Sequence, residues 1–258
     1  HQLTAHMNTL GLSAYMCYLP FSESAIAPAA YARYKTQSVP YEDAPGNLII
    51  FPEVYPMLAL KVKRAKAGLW WLSLENFLER RHIWGLHDKV RYLKRVIQRR
   101  RPWGGAKSLK QILHFSQTEH SSGYLRSCGI EPIPLIDSIN EDFLTDRFLN
   151  RIDHKQNTIL FNPNKGFKVT ERLIKAFPEL HFEPVKGLNC EQLSEKIYQA
   201  KLYIDFGHHP GRDRMPREAA MHGCCLITGQ LGSAGNTVDL PIPAQYKLDS
   251  NAKGFVEQ

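Results

Sequence analysis

The stretch LYIDFGHHPGRDRMPREAAMHGCCLIT, residues 202–228, decides the fold. It opens on an apolar run at 202–206 that reads as a buried strand and breaks at Gly207, Pro210 and Gly211. Pro216 then stands in the first turn of a helix predicted over 216–222. Gly223 closes that helix, and a second apolar run follows at 224–228. Strand, helix and strand in such close succession form the β-α-β unit of a parallel sheet. The alternation continues outward in both directions. Strands are predicted at 158–161 and 180–185, with helices at 169–177 and 190–200. Further upstream, strands are predicted at 48–51, 68–72, 111–115 and 132–136, with helices at 55–66 and 118–128. Nearer the start, Leu3, Met7 and Leu10 line a helix closed by Gly11, a strand is predicted at 13–19, and an alanine-rich helix at 25–34. The expected fold is therefore α/β, with two Rossmann-like, doubly wound parallel-sheet domains. Residues 1–145 form the first and 146–258 the second, joined within the polar stretch 137–157. The sequence opens in a helix with no strand ahead of it, which predicts a first domain lacking its first strand.

Composition narrows the class. The 258 residues are 43% hydrophobic and 22% charged, near the globular average, which excludes disordered, collagen-like and coiled-coil chains. No apolar run reaches the roughly 18 residues that a membrane span needs; the longest candidate, 48–60, is broken by Pro52, Glu53 and Pro56. Five scattered cysteines with no Cys-x-x-Cys spacing, and no signal peptide, predict free thiols and a cytoplasmic location.

The formal charge of +8 is concentrated. Between 88 and 110 lie nine lysines and arginines against Asp88 alone, which accounts for the net charge of the whole chain. Leu86, Val90, Leu93 and Ile97 fall on one helical face there, with Trp84 and Trp103 at the ends. A basic amphipathic helix suits an anionic membrane surface, with Arg91, Lys94, Arg95, Arg99, Arg100 and Arg101 as the contacts. The alternative is a surface helix that packs its apolar stripe on its own domain. Nucleic acid is not expected, because the stretch is short and has few interleaved aromatics.

In open parallel sheets ligands sit beyond the carboxyl ends of the strands, so the loops that follow strands carry the chemistry. Asn162, Lys165 and Gly166 follow the strand at 158–161 and can offer N–H groups and an ammonium to a phosphate. The loop after 202–206 carries His208, Arg212 and Arg214 into a helix N-terminus, which suits a diphosphate. Glu218 is expected in the first helical turn, where it either accepts bonds from vicinal sugar hydroxyls, complements the helix dipole or pairs with Arg214. The glycine-rich piece 229–236, with Ser233, lies on the same sheet edge. His208 and His209 have no third ligand at suitable spacing, so no metal is expected.

Pro216-Arg217-Glu218-Ala219-Ala220, followed by Gly223 and the strand at 224–228, resembles the donor-site helix of GT-B glycosyltransferases. Lys165-Gly166 resembles the Lys-Gly after the first strand of that family's C-terminal domain, and 205–211 is similar to a loop of its bacterial cell-surface polysaccharide members. Pro216 stands one residue closer to the glutamate than in the family pattern, and Pro210 takes the place of a second glutamate eight positions earlier. The resemblance implies two domains facing a cleft and a glycosyltransferase that needs neither metal nor cofactor. Its partners would be a nucleotide-diphosphate sugar on the second domain and a saccharide or lipid-linked acceptor against the first. It places Glu218 on the ribose or sugar hydroxyls and Lys165 on the diphosphate, with Arg212 and Arg214 as further cations. Glu53 and Glu75, each after a strand, are the candidate general bases. Two alternatives are a sugar-nucleotide epimerase of the same architecture and a non-catalytic membrane- or nucleic-acid-binding module built on the basic helix.

Overall fold

The computed structural model describes residues 1–19, 27–78, 86–139, 143 and 155–257. Short apolar runs followed by glycine, proline or polar breaks become the strands of two four-stranded sheets. The first holds β1 (Leu48–Pro52), β2 (Lys66–Trp71), β3 (Leu113–Ser116) and β4 (Ile133–Pro134), in the order β1-β2-β3-β4. The second holds β5 (Gln156–Phe161), β6 (His181–Pro184), β7 (Ala200–Asp205) and β8 (Cys225–Thr228), in the order β6-β5-β7-β8. Every ladder is parallel. The helices are α1 (Gln2–Thr9), α2 (Pro56–Ala59), α3 (Leu74–Leu78), α4 (Leu86–Ile97), α5 (Glu119–Ser127), α6 (Phe167–Ala176), α7 (Cys190–Gln199) and α8 (Arg214–Met221). None of the described helices is long and apolar enough to cross a membrane.

Each sheet has its own core. Leu69, Trp71, Phe77, Leu109 and Leu125 are buried in the first half. In the second, Leu160, Ile197, Tyr203, Ala219 and Leu226 form one cluster, and Phe161, Ile204, Phe206 and Phe255 another. Burying a large apolar side chain contributes about 1.5–3 kcal/mol, so these clusters dominate the stability of both halves. In the second sheet the chain leaves β5 for β6 and returns to β7 on the other side of β5. The carboxyl ends of β5 and β7 thus flank a topological switch point.

Several sequence expectations fail for physical reasons. The run at 13–19 forms no strand; it makes one bridge, Met16 to Ser38, and Leu12 and Tyr15 are exposed. An apolar run without a ladder partner cannot satisfy its backbone as a strand. The alanine-rich helix is a 3-10 segment, Ala29–Tyr34, and its expected start lies outside the described residues. The helix predicted at 55–66 ends at Ala59, because the distant Asp43 carboxylate accepts the N–H groups of Lys63, Arg64 and Ala65 at 2.7–2.8 Å. That contact turns the chain into β2. Trp84 and most of 137–157, including the expected domain boundary, fall outside the described residues.

The basic stretch is helical only as far as Ile97, and Arg99 takes a left-handed conformation at φ 54°. Arg101 does not face a membrane. It is 4% exposed and donates to the carbonyls of Val54 (2.7 Å), Asn76 (3.0 Å), Phe77 (3.1 Å) and Arg100 (3.2 Å). The apolar stripe does not pack on its own domain either: Leu86, Val90, Leu93 and Ile97 are 79%, 57%, 49% and 70% exposed.

Candidate functional site

The loops leaving β5 and β7 touch through their main chains. Gly166 adopts φ 63°, and a Cβ on it would overlap the Phe206 carbonyl and the Gly207 nitrogen, so only glycine fits. Asn162 shapes the first loop, its side-chain oxygen accepting from the Asn164 N–H at 2.9 Å. Lys165 follows, and its ammonium lies on the Asp213 carboxylate of the second loop.

A ladder of charged groups runs along the β7 loop. Buried Asp205 accepts from the Gly207 N–H at 2.8 Å and from the Tyr203 hydroxyl at 3.2 Å. Burial works against its charge, yet the His209 imidazole, the Gly207 N–H and the Lys165 ammonium outweigh burial and hold the carboxyl below its ordinary range. His209 stands between two carboxylates, with Nε2 3.4 Å from Asp205 and Nδ1 3.8 Å from Asp213. Asp205, His209 and Asp213 bring ligand atoms within 4.8 Å of one another. The expectation that His209 lacks further ligands is thus corrected: Asp205 and Asp213 converge on it, its Nε2 is buried without a hydrogen-bond partner, and the Lys165 ammonium lies on Asp213.

Helix α8 begins at Arg214, two residues before the expected start, so Glu218 lies beyond the first turn and does not complement the helix dipole. Glu218 does not pair with Arg214 either. Arg214 Nε lies 3.1 Å from Asp137 Oδ2, and Arg217 Nη2 lies 2.8 Å from Asp137 Oδ1. Glu218 is 4% exposed as a residue, and its carboxylate takes no hydrogen bond from the described residues. Burial raises its pKa, with the nearby Arg214 and Arg217 pulling the other way. Arg212 makes no ion pair among the described residues, and its Nε is buried without a partner.

Other sequence candidates hold the scaffold. The Ser233 hydroxyl is buried and donates to the Gly211 carbonyl at 2.5 Å, so it secures the loop before it can serve a ligand. A Cβ on Gly211 would overlap the Leu72 carbonyl, and this glycine bridges to Ser73 of the first half. His208 Nε2 lies 3.6 Å from Glu75 Oε1, which also lies 2.8 Å from His120 Nε2. The buried Glu75 Oε2 has no partner. Glu53 is committed to the backbone, accepting from the Leu72 N–H at 3.1 Å, and burial raises its pKa. Asp239 ties the halves from the other side, accepting from the Glu119 and His120 N–H groups at 2.6 and 2.9 Å. A cavity of about 650 Å³, lined by Gln156, Thr158, Glu191 and Gln199 among others, opens at the amino ends of β5 and β7, the wrong edge for a switch-point ligand.

The structure thus brings Lys165, Gly166, Arg212, Arg214 and Glu218 to one sheet edge. Sequence reasoning gave no role to the acids around them, Asp137, Asp205 and Asp213, or to His120, and it weighed His209 only as a metal ligand. Asp213 was legible in principle, since an acid set between two arginines reads as their counter-ion.

No protein-family model matches the chain, and a search of curated proteins finds no match. Solved structures do match. A UDP-forming α,α-trehalose-phosphate synthase from Burkholderia vietnamiensis superposes at TM-score 0.50 and 9% identity, over 84% of this chain and 64% of that one. The UDP-forming enzyme of Burkholderia xenovorans gives 0.50 and 10%, over 83% and 65%. The catalytic domain of starch synthase IV from Arabidopsis thaliana, solved with ADP and acarbose, gives 0.47 and 14%, over 82% and 64%. The chain spans less than two thirds of the length of each. At such identities the likeness concerns architecture alone, and on the two matches at TM-score 0.50 this chain has the GT-B fold.

Proposed function

We propose that the chain transfers a glycosyl group from a nucleotide-diphosphate sugar, held on its second half, to a saccharide or lipid-linked acceptor, with side-chain cations in place of a metal. The observation that carries this reading is the switch-point edge itself. There Arg212, with its buried unpartnered Nε, and Glu218, a buried carboxylate without a hydrogen bond, flank the start of α8. In the transfer the bond from the anomeric carbon to the diphosphate oxygen breaks, and negative charge grows on the departing diphosphate. Preorganised cations lower that barrier. Lys165, Arg212 and Arg214 are assigned to it, and Glu218 to hydroxyls of the ribose or sugar. If the outcome is inverting, the acceptor proton needs a base. Glu53 is committed to the Leu72 N–H, which leaves Glu75, oriented by His120.

A thermal-shift panel of UDP-, GDP-, ADP-, TDP- and CMP-linked sugars tests the reading. One of them should raise the melting temperature, and Arg212→Ala should weaken its binding about tenfold or more while leaving the ligand-free melting temperature in place. Silence across the panel, or unchanged affinity in the variant, removes the donor site.

The exposed stripe of α4 favours a statement about location. With Arg91, Lys94 and Arg95 along the same helix and Arg99 and Arg100 just beyond it, the stripe matches an anionic lipid surface, and the enzyme would work peripherally at the cytoplasmic face of a membrane.

A further inference from the structure

Two of the three cations assigned to the diphosphate are held by the protein's own carboxylates: Lys165 by Asp213, and Arg214 by Asp137. Their exposures differ from that of the third pair at this edge. Arg217, also on Asp137, is largely buried and is fixed by further bonds to the Asp213 and Arg212 carbonyls at 3.3 and 3.2 Å. Arg214 is half-exposed and makes only its bond to Asp137 among the described residues. Asp213 is the N-cap of α8, yet its carboxylate makes no capping bond and faces Lys165 and His209 instead. It therefore competes for the Lys165 ammonium and leaves the N–H groups at the helix start to an incoming anion. Asp137 belongs to the first half, three residues past β4, whereas α8 belongs to the second. The Asp137 pairs consequently tie the segment joining the halves to the donor edge.

We propose that Asp137 and Asp213 are internal competitors for the donor's diphosphate, and that donor binding, by drawing Arg214 away from Asp137, loosens the joining segment from α8. The inference rests on the donor-site reading above. A diphosphate drawn to Lys165 and Arg214 competes with the carboxylate already on each. It then stands beside Asp137 and repels it, since like charges at contact distance disfavour one another. Arg217 keeps its main-chain bonds throughout, so the start of α8 is not rebuilt. The carboxylates would thus set donor affinity from within and couple donor occupancy to the junction of the two halves.

Calorimetric titration of UDP, ADP and inorganic pyrophosphate into the wild-type chain, Asp137→Asn and Asp213→Asn tests this. Both variants should bind the responding nucleoside diphosphate about three- to tenfold more tightly than wild type, and pyrophosphate should follow the same order. Hydrogen exchange on the wild type supplies a readout that needs no variant: amides at 136–139 should exchange faster when the nucleoside diphosphate is added. If wild type binds while both variants bind equally or more weakly, or if exchange at 136–139 does not rise, the competition is overturned and the donor site stands. If no chain binds any of the three, the donor-site reading falls and takes this inference with it.

Discussion

Two basic stretches sit in the same chain and do opposite things with their charge. Along 86–101 the cations surround an apolar stripe that stays in solvent, and no carboxylate of the described residues pairs with Arg91, Lys94, Arg99 or Arg100. Around 212–217 the apolar groups are buried and most cations face an acid: Lys165 on Asp213, Arg214 and Arg217 on Asp137. On the function proposed above, the first arrangement would meet an extended anionic surface and the second a compact anion that competes with the acids. Counting charges does not separate them; the identity of the counter-ion does. Arg101 is the exception that proves instructive, because it lies in the first stretch by sequence but is used as an internal fastener.

The comparison breaks most easily at Arg101. Arg101→Ala should cost at least about 3 kcal/mol in urea unfolding, since it removes a buried side chain whose guanidinium holds the carbonyls of Val54, Asn76 and Phe77 together. Arg100→Ala, exposed one residue earlier, should cost under about 0.5 kcal/mol. Equal losses would mean that the two arginines belong to one surface after all. A smaller effect is expected along α4. Neutralising Lys94 or Arg95 to glutamine should weaken co-flotation with anionic vesicles by about fivefold each, near 1 kcal/mol per charge. Nucleoside-diphosphate affinity should not change, and salt should suppress the vesicle binding. Vesicle binding that ignores both salt and charge would assign the stripe to another partner.

The smallest effect sharpens the second region from inside. Burial raises the Glu218 pKa in the folded chain, so the ionised carboxylate destabilises the fold wherever it is charged in both states. Glu218→Gln should therefore raise the melting temperature at neutral pH by about 2 °C. That gain should shrink as pH falls through the raised folded-state pKa and vanish below the ordinary glutamate range, where both states are protonated. A variant less stable than wild type at pH 7 would show that the carboxylate has a protein partner.

Much of the fold was legible because its decisive signals are local. The strands β5, β7 and β8 are apolar runs stopped by Asn162, Gly207 and Gly229, and the capping Thr118 and Asn189 stand where α5 and α7 begin. Where the deciding partner is distant, local reading failed. Val62 to Ala65 leave helical geometry because of Asp43, some 20 residues earlier. Arg101 is drawn inward by carbonyls at 54, 76 and 77. At the candidate site the cations were legible as residue types in a loop after a strand. Their pairing with Asp137 was not, since that acid lies 77 positions from Arg214.

The contact of Gly166 with Phe206 and Gly207 has one more consequence. The two loops are spaced by main chain against main chain, so the gauge of the cradle is independent of the side chains that line it. A lineage or an engineer can therefore re-dress this edge residue by residue, exchanging lysine, arginine or histidine, without retuning the distance between its two walls.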